Sequence, residues 1–194
     1  MSGINWEAED AKYIWHPAMQ MKDNEVFPPV VIDHAKGCYL YDTHGKAYLD
    51  IISSWWCNLL GHANPEINAA LKQQVDELEH VIFTNFTHKP AIELARELSE
   101  LLPAGLTKFT FHDNGSSAVE AALKMAFQYQ YQTGHPERTR FMCLPESYHG
   151  ETIGALSVGS MDLYAKIFHP LLMHNIHFKG LDCYSCPYGK KRET

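Results

Sequence analysis

Three short segments bring together residue types that could do chemistry. The first is Phe109-Thr110-Phe111-His112-Asp113-Asn114-Gly115-Ser116-Ser117-Ala118-Val119-Glu120. An apolar run leads through a polar turn into a stretch with helical alanine spacing. Gly115 lets the backbone come close to a ligand, and the first amides of a helix have no intrahelical partner. Together with the positive helix end they suit a phosphate dianion, with the hydroxyl of Ser116 or Ser117 as a further donor. The same letters also suit a plain helix cap, because Ser117 and Glu120 stand at capping-box spacing.

The second segment is Pro145-Glu146-Ser147-Tyr148-His149-Gly150-Glu151-Thr152, which follows an apolar run, Arg140 to Leu144. The Tyr148 ring could lie against a flat heteroaromatic group, an arrangement worth ~0.5–1.5 kcal/mol beyond area burial. A tyrosine packed at a domain edge is the plainer reading. The third segment is Ser53-Ser54-Trp55-Trp56-Cys57-Asn58-Leu59-Leu60-Gly61-His62. Its paired tryptophans suit a binding wall, or equally one core and one interface position. A phosphate cradle and an aromatic plate on one sheet rim point to a planar, phosphorylated, ring-containing cofactor.

The elements that must position these segments follow from periodicity. An amphipathic stretch, Trp6 to Trp15, stops at His16-Pro17. Val30-Val31-Ile32, Cys38 to Tyr41 and Ala47 to Ile52 read as strands of a β meander, with Asp42 to Lys46 as a turn. After Gly61 the pattern turns to helices and strands. Pro65 suits a helix start, with Ile67, Leu71, Val75 and Leu78 as its stripe. A helix runs from about Pro90 through Leu94, Leu98 and Leu101. Lys108 to Phe111 is a short strand, Gly115 onward a long helix, and Arg140 to Leu144 another strand. Such alternation predicts an α/β fold with a mainly parallel sheet, whose ligands bind where strands lead into helices. Lys190 to Thr194 follow a loop-like stretch with no element to close the sheet, so the chain reads as truncated, and an isolated piece with an open sheet edge is expected to associate abnormally.

Composition narrows the classes. Of 194 residues 45% are hydrophobic and 12% aromatic, which predicts a substantial core rather than a disordered tail. A formal charge of −7 argues against nucleic acid or an anionic membrane as partner. No apolar run approaches the ~18 residues that cross a bilayer. Cys38, Cys57, Cys143, Cys183 and Cys186 form an odd, scattered set that suits a reducing cytoplasm. Cys183 and Cys186 stand at half of a zinc-site spacing that no second pair completes, and His174 and His177 before them leave a Cys/His site as the lesser reading; a surface loop is the expectation, and no metal is expected.

The segments Ile14-Trp15-His16-Pro17, Ser53-Ser54-Trp55-Trp56, Thr87-His88-Lys89-Pro90-Ala91-Ile92-Glu93-Leu94, Asp113-Asn114-Gly115-Ser116 and Tyr148-His149-Gly150-Glu151-Thr152, in this order, resemble the class III aminotransferases. Within that class the Trp-His-Pro and Ser-Ser-Trp-Trp elements resemble members that serve biotin synthesis. The resemblance implies a fold-type-I pyridoxal-phosphate enzyme, with residues 1–60 in the small-domain meander and 61–194 opening the cofactor-binding domain. It implies Gly115 and Ser116 at the cofactor phosphate, Tyr148 against the pyridoxal ring and substrate, and Trp55 along the substrate's apolar chain. It implies 8-amino-7-oxononanoate as acceptor, S-adenosylmethionine as the usual donor, and a homodimer. The family's catalytic lysine is expected beyond Thr194, so this stretch alone is expected to be inactive, and Lys124 reads as a surface lysine. Ala18 departs from the pattern, since donor-using members commonly carry tyrosine there, which leaves the amino donor open. The rivals are another class III ω-aminotransferase and a non-catalytic phosphate-binding or dimerisation module.

Overall fold

The computed structural model describes residues 3–180, 182 and 184–191. Met1–Ile92 and Glu93–Thr194 form two compact units.

In the first unit, helix α1 (Trp6–Tyr13) starts at Asn5, whose side chain accepts from the Ala8 amide at 3.0 Å. Glu7 and Glu9 in the first turn and Lys12 in the last complement the helix dipole. The helix ends at Tyr13, two residues sooner than periodicity suggested. Ile14 is already extended, ahead of His16, whose place before Pro17 disfavours helix. The meander forms as expected, as strands β1 (Ile32–Lys36), β2 (Tyr39–Asp42) and β3 (Ala47–Leu49) in antiparallel order. Its first strand lies later than the Val30-Val31-Ile32 reading. The two-residue connection Gly37-Cys38, with Gly37 at φ 57°, fixes the pairing of Lys36 with Tyr39, so turn chemistry outweighs the β-branched run. At the next turn the Asp42 carboxylate is buried and accepts from the amides of His44 (2.9 Å) and Lys46 (2.8 Å) and from the Tyr48 hydroxyl (3.0 Å). A single turn, α2 (Ser53–Trp56), follows; then α3 (Pro65–Glu77) opens with Asn64 accepting from the amides of Glu66 and Ile67. The boundary between the units falls inside α4 (Lys89–Leu101).

The second unit holds the long helix α5 (Gly115–Gln132), strand β4 (Met142–Cys143), helices α6 (Ile153–Val158) and α7 (Asp162–Ala165), a 3-10 turn at Lys166–Leu171, and strand β5 (Ile176–His177). β4 and β5 pair in parallel, Met142 with Ile176 and Cys143 with His177. A polar staple joins this pair to α6. The Phe141 amide donates to Asn175 Oδ1 (3.2 Å), Asn175 Nδ2 donates to the Ser157 carbonyl (2.9 Å), and Ser157 Oγ accepts from the Met173 amide (2.9 Å). Periodicity did not reveal α6, α7 or β5, because each is shorter than the window that a period needs.

Two expectations are corrected here. Lys108 to Phe111 belongs to no strand among the described residues; extended chain becomes a strand only beside a ladder partner. The substantial core is also missing: the buried hydrophobic residues among those described are Cys143, Ala155, Leu156, Val158 and Ala165, all in the second unit. The stripe Ile67, Leu71 and Val75 on α3 is correctly helical but exposed. An apolar face is buried only when a second layer covers it, and the described residues supply that layer around α6.

Candidate functional site

The start of α5 decides between a cap and a cradle. Asn114, not Ser117, is the N-cap, and its Oδ1 accepts from the Ser117 amide at 2.8 Å. The Ser117 hydroxyl stands beside the Asp113 carboxylate and is the main cause that holds this carboxyl below the usual range. Ser117 is therefore committed to the cap. The amides of Gly115 and Ser116 and the Ser116 hydroxyl have no hydrogen-bond partner among the described residues. Three donors remain at the positive end of an 18-residue helix, which is what a phosphate needs.

Glu120, suspected of completing the capping box, does something else. One turn along α5 from Ser116, its Oε1 accepts from Thr152 Oγ1 (2.5 Å), the Gly154 amide (2.7 Å) and the Ala155 amide (3.1 Å). It thus caps α6 from another helix, and the Thr152 contact leads the causes that keep its carboxyl low. A Cβ at Gly154 would run into the Glu120 carboxylate, which would have to move aside. Gly150, buried and at φ 117°, packs on Ser116: a Cβ at Gly150 would meet the Ser116 Oγ and Cβ and come within 3.1 Å of its Cα. The cradle and the Tyr148-His149-Gly150 segment, far apart in sequence, are therefore in direct contact.

Tyr148 lies in the loop after β4. Its ring sits 5.3 Å from the Tyr164 ring at 57°, and its hydroxyl donates to Glu151 Oε1 at 3.2 Å. Half of the residue is still exposed, at 53%. Desolvation, followed by the Glu151 charge, pushes its phenol above the usual value. The loop is tied down by the Ser160 amide donating to the Ser147 carbonyl (3.0 Å) and by Ser147 Oγ donating to the Leu144 carbonyl (2.8 Å).

In the first unit, Trp55 sits on a backbone that sequence periodicity could not foresee. Ser53, Ser54, Trp55 and Trp56 have φ of 49°, 50°, 57° and 67°, so α2 is one turn of left-handed helix. For residues with a side chain this hand costs roughly 1–2 kcal/mol each, and four in a row call for a restraint. Asp50 supplies it. Oδ1 accepts from the Ser54 amide (2.9 Å), while Oδ2 accepts from Ser54 Oγ (2.7 Å) and lies 2.8 Å from His62 Nε2. These bonds, the Ser54 amide first, lower the Asp50 carboxyl to about 2. Trp55 and Trp56 are both exposed, 63% and 80%, so neither takes a core position. The motif Asp50-x-x-x-Ser54 with His62 was the signal that sequence reading missed.

The remaining candidates separate. Ala18 is exposed and has φ 55°. Lys124 is exposed on α5. Cys143 is buried, which pushes its thiol up. Cys183 lies outside the described residues, as do Arg192, Glu193 and Thr194 at the chain end. Among the described residues no three His, Cys, Asp or Glu side chains gather where they could hold a metal ion. A cleft of 570 Å³ bordered by Glu146, His169, His174 and His177 includes none of Gly115, Ser116 and Tyr148.

Comparison with known proteins gives the family. The family model "Aminotransferase class-III" matches residues 19–193, and the chain belongs to that family. Its fold is that of part of a fold-type-I transaminase. Among characterised relatives, the adenosylmethionine-8-amino-7-oxononanoate aminotransferase of Geobacter sulfurreducens is 46% identical over 181 residues, covering 93% of this chain and 40% of the relative. The protein of the same name from Helicobacter pylori is 47% identical, covering 89% and 39%. The crystal structure of the Methanocaldococcus jannaschii aminotransferase of that name superposes with a TM-score of 0.85 at 42% identity, covering 89% of this chain and 39% of that one. An ω-transaminase from Pseudomonas jessenii in complex with PMP gives 0.83 at 28% identity, covering 90% and 39%. The chain thus spans about 40% of the length of the relatives it matches. Among the described residues no helix is long and apolar enough to cross a membrane.

Proposed function

We propose that this chain is part of a pyridoxal-phosphate-dependent aminotransferase that transfers an amino group to 8-amino-7-oxononanoate, as in biotin synthesis, with S-adenosylmethionine as donor. The observation that carries the reading is the packing of Gly150 on Ser116. It sets three uncommitted donors beside the segment that carries a half-exposed tyrosine. The residues fit the cofactor: the amides of Gly115 and Ser116 and the Ser116 hydroxyl would hold its phosphate, and Tyr148 would face its ring. When bound, the cofactor supplies an electron sink for the transfer. The chain's own part is to fix the phosphate, to present an aromatic face and to line the substrate channel with Trp55. Ala18 leaves room where related enzymes carry a ring, so lysine is the alternative donor.

In this reading residues 1–60 belong to the small domain and 61–194 begin the cofactor-binding domain. The working enzyme is a cytoplasmic homodimer, and the lysine that holds the cofactor lies past this stretch. The test is a pyridoxal-phosphate titration of two lengths of polypeptide, this one and one carried to the end of its reading frame. The longer form is expected to develop a visible absorbance band that S-adenosylmethionine or lysine bleaches. No band in the longer form, or a reading frame that stops at Thr194, would replace the enzyme with a phosphate-binding module.

A further inference from the structure

We propose that Asp50 is a specificity-determining positioning residue, which sets the direction of Trp55 by holding α2 in its left-handed form. The inference rests on the reading of Trp55 as the wall for the acceptor's apolar chain. Nothing local favours that backbone. None of Ser53, Ser54, Trp55 and Trp56 is glycine, and Trp side chains make the left-handed region worse rather than better. Strain of this kind persists only where surroundings overdetermine it, and it gathers at ligand-binding positions.

The restraint is a continuous chain of contacts. Gly37 and His62 exchange backbone hydrogen bonds at 3.0 and 2.8 Å, which pins His62 to the meander hairpin. The His62 ring reaches Asp50 Oδ2, and Asp50 takes both the amide and the hydroxyl of Ser54. The His62 and Asp50 side chains are only 13% and 6% exposed, so water competes poorly for these bonds. The Trp56 amide donates to the Ile52 carbonyl at 2.9 Å and the Asn58 amide to the Ser53 carbonyl at 3.1 Å, closing the turn. The two indoles are left mostly exposed, at 63% and 80%. Relaxation of α2 to the right-handed region would swing both indoles, because the side-chain direction of each residue follows its backbone hand. Asp50 touches neither substrate nor cofactor in this scheme. It acts through Trp55.

The test uses the full reading frame and compares D50A and D50N with W55A. Two half-reactions are followed separately by the cofactor band: bleaching by the donor amine, and recovery on adding 8-amino-7-oxononanoate. D50A is expected to raise the acceptor concentration for half-maximal recovery about tenfold or more, with donor bleaching within about twofold. D50A combined with W55A is expected to be no worse than W55A alone. D50N, which keeps the acceptor for the Ser54 amide, covers the case in which D50A fails to fold, and is expected to give a smaller shift of the same kind. In cofactor-free protein, amide hydrogen exchange at Ser54 and Trp56 is expected to quicken in both Asp50 variants. Equal slowing of both half-reactions, or unchanged exchange at Ser54, would overturn the proposal. A wild-type protein without a cofactor band, or a W55A variant with normal acceptor recovery, would instead overturn the reading beneath it.

Discussion

Asp50 and Glu120 each gather a hydroxyl and at least one backbone amide onto a single carboxylate, yet the backbones they gather differ. Glu120 caps α6, a right-handed helix whose first amides lack partners in any protein. Asp50 holds α2, a left-handed turn with no stability of its own. In the second unit the carboxylate completes a structure that local propensity already favours. In the first it imposes a structure that propensity opposes. Loss of Glu120 therefore leaves the α6 backbone hand favoured, whereas loss of Asp50 removes the reason for a conformation. The two units of one chain show carboxylates used once as a cap and once as a clamp.

The sharpest way to break the cap side of this contrast is G150A. The added Cβ meets the Ser116 backbone as well as its side chain, and φ 117° is a glycine conformation. A loss of about 3 kcal/mol or more is expected, together with loss of pyridoxal-phosphate retention, read by denaturant unfolding and visible absorbance. G154A is a control of a different kind, since its Cβ meets only the movable end of Glu120. Its penalty is expected to vanish in an E120A background. Equal penalties for G154A with and without Glu120 would mean that the close approach is to something other than the carboxylate.

E120A comes next. It removes the acceptor from two amides and the Thr152 hydroxyl, and about 1–2 kcal/mol is expected, discounted for the partial exposure of the carboxylate. E120Q keeps one acceptor oxygen and is expected to lose less than half as much. A G150A variant as mild as E120Q would sink the idea that backbone contact, rather than the cap, fixes the cradle against Tyr148.

What sequence could and could not reveal follows the same division. Pro65 and Gly115 were legible as helix starts because a helix start is local chemistry, although the caps proved to be Asn64 and Asn114, the latter in place of Ser117. Gly115, Ser116 and Tyr148 were expected as a group because each follows an apolar run on one sheet rim, and the resemblance joined the same segments. The contact of Gly150 with Ser116 was not legible, as it depends on the crossing of two distant segments. Nor was α2: four positive φ angles in Ser-Ser-Trp-Trp come from Asp50 and His62, which are tertiary partners, not from the residues that adopt them. The stripes on α3 and α4 read correctly as helix yet are mostly exposed, because a period reports a face and says nothing of what covers it.

Acid titration sharpens the clamp side with a smaller effect. The Asp50 carboxyl is lowered from 3.8 to about 2 by its bonds. A group depressed on folding stabilises fully above its unfolded value and loses that contribution as pH falls toward the folded one. Between pH 5 and 4 the turn should hold, and the near-ultraviolet dichroism of its tryptophans should change only as pH drops from about 3.8 toward 2. D50N should abolish that transition. A tryptophan signal that moves at pH 4 in the native protein would place Asp50 outside the turn's energetics.

The smallest effect tests the strain itself. Ser53 has φ 49°, and among the described residues its hydroxyl makes no hydrogen bond, so S53G removes a side chain that the left-handed backbone penalises and leaves the Asp50 bonds intact. Glycine enters this region freely but also gains freedom in the unfolded chain, and the two effects oppose. Relief of the 1–2 kcal/mol left-handed cost outweighs the roughly 0.4–1 kcal/mol of added unfolded entropy. A net gain of about 0.5 kcal/mol is expected, seen as a rise in the denaturant midpoint without change in slope. In a D50A background the gain should shrink, because a turn no longer clamped has already left the strained region. A destabilised S53G, with Asp50 present, would mean that α2 is not under strain, and the contrast between clamp and cap would lose its first half.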